Sequence, residues 1–79
     1  MTYQEYFEQL RSEFAKTSER YINTEKKMTQ DMDGFFDKAL YDEFVKARDA
    51  WSAASNDYNG FLSFVERMNI NPYDEIPNQ

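Results

Sequence analysis

Cysteine and histidine are both absent from this chain of 79 residues. Without cysteine there is no disulfide and no thiolate metal site, and without histidine the commonest metal ligand and the commonest general base are missing. Only two glycines are present, which excludes a glycine-rich phosphate loop. We therefore expect a protein that is not an enzyme and that holds no cofactor and no metal.

Long apolar runs are missing as well. No stretch approaches the roughly 18 apolar residues that cross a bilayer, and the first five residues lack the basic patch and apolar segment of a secretory signal. The sequence thus predicts a soluble, cytoplasmic protein with no membrane partner. Its net charge of −6 argues against direct nucleic-acid binding, which needs a basic face to neutralise phosphates.

The chain is instead rich in apolar residues at steps of four and three, the heptad spacing of a helix that packs lengthwise against another helix. We call these positions the seam. In the second half of the chain they are Phe36, Leu40, Phe44, Ala47, Trp51, Ala54, Tyr58, Phe61, Val65 and Met68. In the first third they are Tyr3, Phe7, Leu10, Phe14, Thr17, Tyr21, Thr24 and Met28. The two threonines are either spacers opposite a bulky residue or a sign that the seam is half-buried there.

The first helix is predicted over about residues 3–29. It starts at a capping box, in which the Thr2 hydroxyl accepts a hydrogen bond from a backbone amide of the first turn. The Glu5 carboxylate in turn accepts a hydrogen bond from the backbone amide of the cap residue. Asp33-Gly34 then marks a turn over residues 30–35, because glycine adopts positive φ without steric cost.

The second helix is predicted over about residues 36–69, with Asp33 or Asp37 as its cap. A proline that follows Asn71 stops it, since proline disfavours a helical predecessor. The domain organisation is therefore a single helical domain over residues 1–71 and an extended C-terminal tail over residues 72–79.

These elements predict an all-α fold, a long antiparallel helical hairpin that resembles a coiled coil. The alternative is a three-helix bundle, broken near Asn59-Gly60, where helix formers are scarce. Ile22, Tyr41, Val45 and Phe64 lie off the seam, and a lone hairpin has too few neighbouring helices to cover them all. We therefore expect a homodimer, in which two hairpins form a four-helix bundle.

Acidic residues concentrate where the helices connect and in the tail. Residues 29–43 hold five acids against Lys38 alone. Such a cluster matches the positive end of a helix dipole, and it is also a patch that steers a basic partner. Together with the aromatics that lie off the seam or in the tail, it gives the candidate partner-binding residues Asp31, Asp33, Asp37, Tyr41, Asp42, Glu43, Phe64, Tyr73, Asp74 and Glu75.

The function expected from these features is a non-enzymatic protein–protein interaction module that occupies a surface of another protein. The acidic, aromatic-rich composition resembles that of small phage inhibitors of host nucleases, of the anti-CRISPR or anti-restriction kind. That resemblance implies partial phosphate mimicry against a nucleic-acid-binding enzyme. A third possibility is a structural hairpin subunit, or a chaperone, of the secretion-system type.

Overall fold

A computed structural model describes residues 1–30 and 37–77 and places them in a helical hairpin. Helix α1 spans Tyr3–Gln30 and helix α2 spans Lys38–Arg67. The molecule measures 51 × 20 × 19 Å, and its radius of gyration of 16.8 Å exceeds the roughly 12 Å of a compact domain of this length. The predicted all-α hairpin is confirmed.

The start of α1 has the predicted capping box. The Thr2 amide donates to Glu5 Oε1 at 3.1 Å, and the Glu5 amide donates to Thr2 Oγ1 at 3.2 Å. The hydrogen bonds from the Thr2 amide and hydroxyl favour the ionised carboxylate and hold the pKa of Glu5 below its usual value.

Helix α2 begins two residues later than its predicted start, at a cap formed by Asp37, whose side chain accepts from the Leu40 amide. It ends at Arg67, because Asn69 adopts the left-handed conformation with φ of 50°. The amides of Asn69 and Ile70 then donate to the carbonyls of Glu66 and Val65, the paired bonds of a Schellman motif. The helix therefore stops before the proline is reached.

The possible break in the second helix is absent: α2 is continuous through Asn59 and Gly60. The three-helix alternative is therefore wrong for this chain. Asn59 Nδ2 donates to Ser55 Oγ one turn earlier, at 3.2 Å. Seam residues Tyr58 and Phe61, on either side of the weak stretch, both contact rings of α1. This packing on α1 outweighs the low helix propensity.

The centre of the seam combines small residues with large rings. Tyr21 contacts both Phe44 and Trp51, with ring centroids 5.5 and 5.1 Å apart. Ala47 lies between those two residues on the same stripe and is fully buried, so it faces Tyr21. The same antiparallel register places Thr17 opposite Trp51.

Thr17 and Thr24 are therefore spacers rather than a half-buried stretch of seam, with exposed fractions of 9% and 3%. Each hydroxyl donates to carbonyls one turn earlier, of Glu13 and Phe14 for Thr17 and of Arg20 and Tyr21 for Thr24. Because this bond satisfies the hydroxyl within its own helix, a polar side chain is buried at little cost.

Candidate partner-binding surfaces

Two flanks border the seam, one on each side. We call the first the Tyr41 flank; its residues each directly follow a seam residue and include Gln4, Arg11, Ala15, Ser18, Ile22, Glu25, Tyr41, Val45, Arg48, Ser52, Ser55 and Leu62. The second is the Phe64 flank; its residues each directly precede a seam residue and include Tyr6, Glu13, Lys16, Arg20, Asn23, Lys27, Glu43, Ala50, Ala53, Asp57 and Phe64. In an antiparallel pair of helices, the residues that follow seam residues on one helix lie on the same side of the hairpin as those that follow seam residues on the other. Each flank therefore has contributions from both helices.

An apolar cleft of about 240 Å³ opens on the Tyr41 flank near the chain termini. Gln4 and Leu62 of this flank form its rim, and seam residues form its floor. The tail closes one side through Pro72, whose carbonyl accepts from the Gln4 amide at 2.8 Å. The full lining consists of Tyr3, Gln4, Phe7, Phe61, Leu62, Val65 and Pro72.

The other end of the Tyr41 flank, near the turn, carries exposed apolar side chains. Ile22 is 52% exposed and Tyr41 is 47% exposed. Val45 follows Tyr41 by one turn and is half-buried. This flank thus has protruding side chains at one end and a recess at the other.

A polar cleft of about 340 Å³ lies on the Phe64 flank toward the turn. Three cations from one face of α1, Lys16, Arg20 and Lys27, surround it together with Glu43 of α2. Glu19, Asn23 and Thr24 complete its lining. Positive charge therefore stands beside one of the acids that the sequence assigned to an acidic patch.

The acidic turn is described only in part. Asp31 and Asp33 lie outside the described residues. Asp37 serves as the cap of α2, so its carboxylate already accepts a backbone amide. Asp42 and Glu43 are exposed in the first turns of α2.

The tail residues lie against the start of α1. The carbonyls of Asp74 and Pro72 accept from the Tyr3 and Gln4 amides, at 3.1 and 2.8 Å. Thr2 and Glu75 form a single antiparallel bridge, and Glu75 Oε2 binds the Met1 ammonium at 2.8 Å. These contacts satisfy amides that every helix start leaves without a partner. The tail, expected as a simple extended segment, is held along its backbone.

The eight predicted site residues that the structure describes do not form one surface. Tyr41, Asp42 and Glu43 lie at the turn end, whereas the tail residues lie beside the chain start. Among the latter, Tyr73 is 73% exposed. Phe64, 38% exposed, lies on the opposite flank from Tyr41 and three residues before the end of α2.

Two surfaces, the basic row of α1 and the apolar cleft, were not predicted from the sequence. The basic row could have been found, because Lys16, Arg20 and Lys27 recur at steps of four and seven on one helix face. The apolar cleft had no such signal: it needs the tail to return to the start of α1, and no local pattern encodes that contact.

Neither helix is long and apolar enough to cross a membrane, among the residues described. The same residues contain no group of three or more acidic, cysteine or histidine side chains that could hold a metal ion. Comparisons of the chain with protein-family models, with curated proteins and with solved structures found no match.

Proposed function

We propose that this chain is a non-enzymatic protein-binding hairpin, which acts by covering a surface of another protein. The observation that carries the proposal is the exposure of large apolar side chains on both flanks: Ile22, Tyr41 and Phe64 are 52%, 47% and 38% exposed. Ile22 and Tyr41 share the Tyr41 flank, and exposed apolar side chains that gather on one face of a protein are typical of interaction sites.

The surface area supports the same proposal. The chain exposes 5977 Å², whereas a compact monomer of 9.5 kDa exposes roughly 5,000 Å². A two-helix hairpin gives each helix only one neighbour, so much of the seam itself stays half-buried. Trp51, at the centre of the seam, is among these half-buried side chains. A binding partner would supply the cover that the fold lacks.

Photo-crosslinking tests the proposal directly, because it captures a bound protein of any identity. A photoreactive phenylalanine analogue is placed at Tyr41, at Phe64 or at Tyr73 in three separate variants, expressed in the native host. We expect a covalent adduct heavier than two copies of the chain from at least one position. A matched variant at Asn56, exposed on the outer face of α2, is the control. Equal adduct yield at Asn56, or none heavier than two copies anywhere, would contradict the proposal.

The second candidate is a phosphate-mimicking inhibitor of a nucleic-acid-binding enzyme. Its support is the pair of acids Asp42 and Glu43, which are exposed near the start of α2. Lys16 and Arg20 border the same cleft as Glu43, which weakens the local negative field. We therefore rank this function second. If it holds, replacing Asp33, Asp37 and Asp42 together by asparagine should reduce the adduct, and raised salt should reduce it further.

A structural hairpin subunit is the third candidate. It predicts assemblies larger than a dimer in purified protein, which sedimentation velocity measures directly. The same run separates this candidate from the other two, because neither requires higher assemblies.

A further inference from the structure

The two ends of the Tyr41 flank have complementary shapes. At the turn end Ile22 and Tyr41 project into solvent, and at the terminal end the apolar cleft lies beside Leu62. Tyr41 and Leu62 occupy the same register position in α2, 21 residues apart, so the projection and the recess are aligned along one row. Their separation along the helix is about 32 Å at 1.5 Å per residue.

We propose that a second copy of this chain covers the Tyr41 flank in antiparallel orientation, with Tyr41 of each copy seated in the apolar cleft of the other. This inference rests on the proposed function, since it takes the exposed flank to be a binding surface. The contact is isologous: one two-fold axis creates two equivalent tyrosine-in-cleft contacts.

The position of the axis follows from the register. Halfway between Tyr41 and Leu62 lie Trp51 and Ser52, so the two-fold axis crosses α2 there. The side chains nearest the axis are small: Ser52 and Ser55 on α2, and Ala15 and Ser18 at the same height on α1, with the longer Arg48 one turn away. Small side chains let the two hairpins approach closely at the axis, while the large ones engage at the ends.

The flank is large enough for a stable dimer. A face of 51 by 20 Å offers roughly 1,000 Å², and a standard interface buries about 800 Å² on each partner. The same contact would reduce the excess surface of the hairpin and cover Ile22 and Tyr41, the most exposed of the large apolar side chains that the structure describes outside the terminal segments.

A parallel pairing of the same flanks fits less well. It would set the projecting side chains against each other and face one cleft with the other, which leaves voids where interfaces are normally packed as densely as protein interiors. It would also bring both acidic turns together, including Asp37, Asp42 and Glu43 of each copy. The antiparallel orientation separates those turns by the length of the molecule.

Disulfide trapping tests the arrangement cleanly, because the chain has no cysteine of its own. A Ser52→Cys variant should form a covalent dimer under mild oxidation, since each Ser52 lies next to its own copy at the axis. The matched control is Ala53→Cys, the next residue along, which is exposed and lies toward the Phe64 flank. We expect it to remain mostly monomeric on a denaturing gel.

The mass in solution and the dimer dissociation constant test the proposed contact independently. Light scattering should report twice the chain mass of 9.5 kDa at micromolar concentration. Tyr41→Ala should raise the dimer dissociation constant about tenfold or more, as expected for an aromatic anchor in a pocket. Tyr41→Phe, which keeps the ring, and Phe64→Ala, on the other flank, should leave it nearly unchanged. All three substitutions are at exposed sites in α2, so the fold should persist.

The outcomes separate this inference from the proposed function. A dimer that is trapped through Ala53 and not Ser52, or that depends on Phe64 and not Tyr41, overturns the antiparallel contact. A monomeric mass at all concentrations overturns self-association altogether. Neither result affects the adduct experiment, which detects a partner heavier than a second copy. If the purified chain is monomeric and position 41 crosslinks to another protein, this flank binds that partner and not a second copy.

Discussion

Removing the ring of Trp51 should destabilise the hairpin more than removing any other side chain of α2. Trp51 occupies the middle of the seam, is half-buried, and contacts Tyr21 with ring centroids 5.1 Å apart. Thr17 lies opposite and leaves room for the indole. The change considered is Trp51→Ala.

The magnitude follows from the surface that Trp51 removes from water. Roughly 150 Å² of buried apolar area corresponds to about 4 kcal/mol, and the ring pair with Tyr21 adds about 1 kcal/mol. Areas measured against an extended chain are upper bounds, and the open flanks of the hairpin let neighbours relax into the gap. We therefore expect a loss of about 3 kcal/mol. A chain of this length is stable by about 4–12 kcal/mol, so the loss is a large part of the total.

Urea and thermal unfolding, followed by far-ultraviolet circular dichroism at one fixed protein concentration, measure this loss. A loss of about 3 kcal/mol should lower the melting temperature by about 12–24 °C. Trp51→Phe, which keeps a ring against Tyr21, should lose about 1 kcal/mol. Tyr73→Ala, at a site 73% exposed, is the control and should change little. If Trp51→Ala melts within a few degrees of the parent, the register of the seam is incorrect.

Substitutions at three further sites test the local physics of the two helices. Gly60→Ala should stabilise by about 0.5–1 kcal/mol in urea unfolding, because an added Cβ meets nothing within 4 Å and alanine is the better helix former. Thr24→Val should change stability by less than about 1 kcal/mol, since the hydroxyl bonds only to carbonyls of its own helix, whereas Thr24→Leu should cost about 1–3 kcal/mol by overpacking. Because the pKa of Glu5 is lowered in the fold, its contribution is present above the ordinary value of 4.5 and is lost as the pH falls through the folded value. The parent should therefore lose more stability than Glu5→Gln as the pH falls below about 4.5, in melts across an acid series.

The heptad spacing predicted the hairpin because burial of a continuous apolar stripe outweighs local preferences in a long helix. The same dominance explains why α2 continues through Gly60 although its local residues suggested a break. Capping could also be read from the sequence, at Thr2 and at Asp37, because these caps involve contacts only three residues apart.

What the sequence could not provide were the end of α2 and the contacts of the tail. The end of α2 depends on Asn69 adopting a left-handed conformation, which asparagine tolerates but does not require. The return of the tail depends on backbone bonds from Tyr3 and Gln4, and backbone groups carry no sequence signature. The terminal cleft depends on both features, so it appears only in three dimensions.

The distribution of side-chain size along the seam explains why this hairpin has a projecting end and a recessed end. In the middle, Ala47 faces Tyr21, so small and large residues interlock and the helices fit closely. At the chain termini Tyr3 stacks on Phe61 and Tyr6 meets the same ring edge-on, so large side chains meet large side chains. Tyr6 lies on the Phe64 flank, so its ring covers Phe61 from that side, and the apolar cleft opens on the other side of the same ring, between Tyr3, Leu62 and Pro72. The pattern that folds the chain thus also shapes the surface on which we expect a second copy to bind.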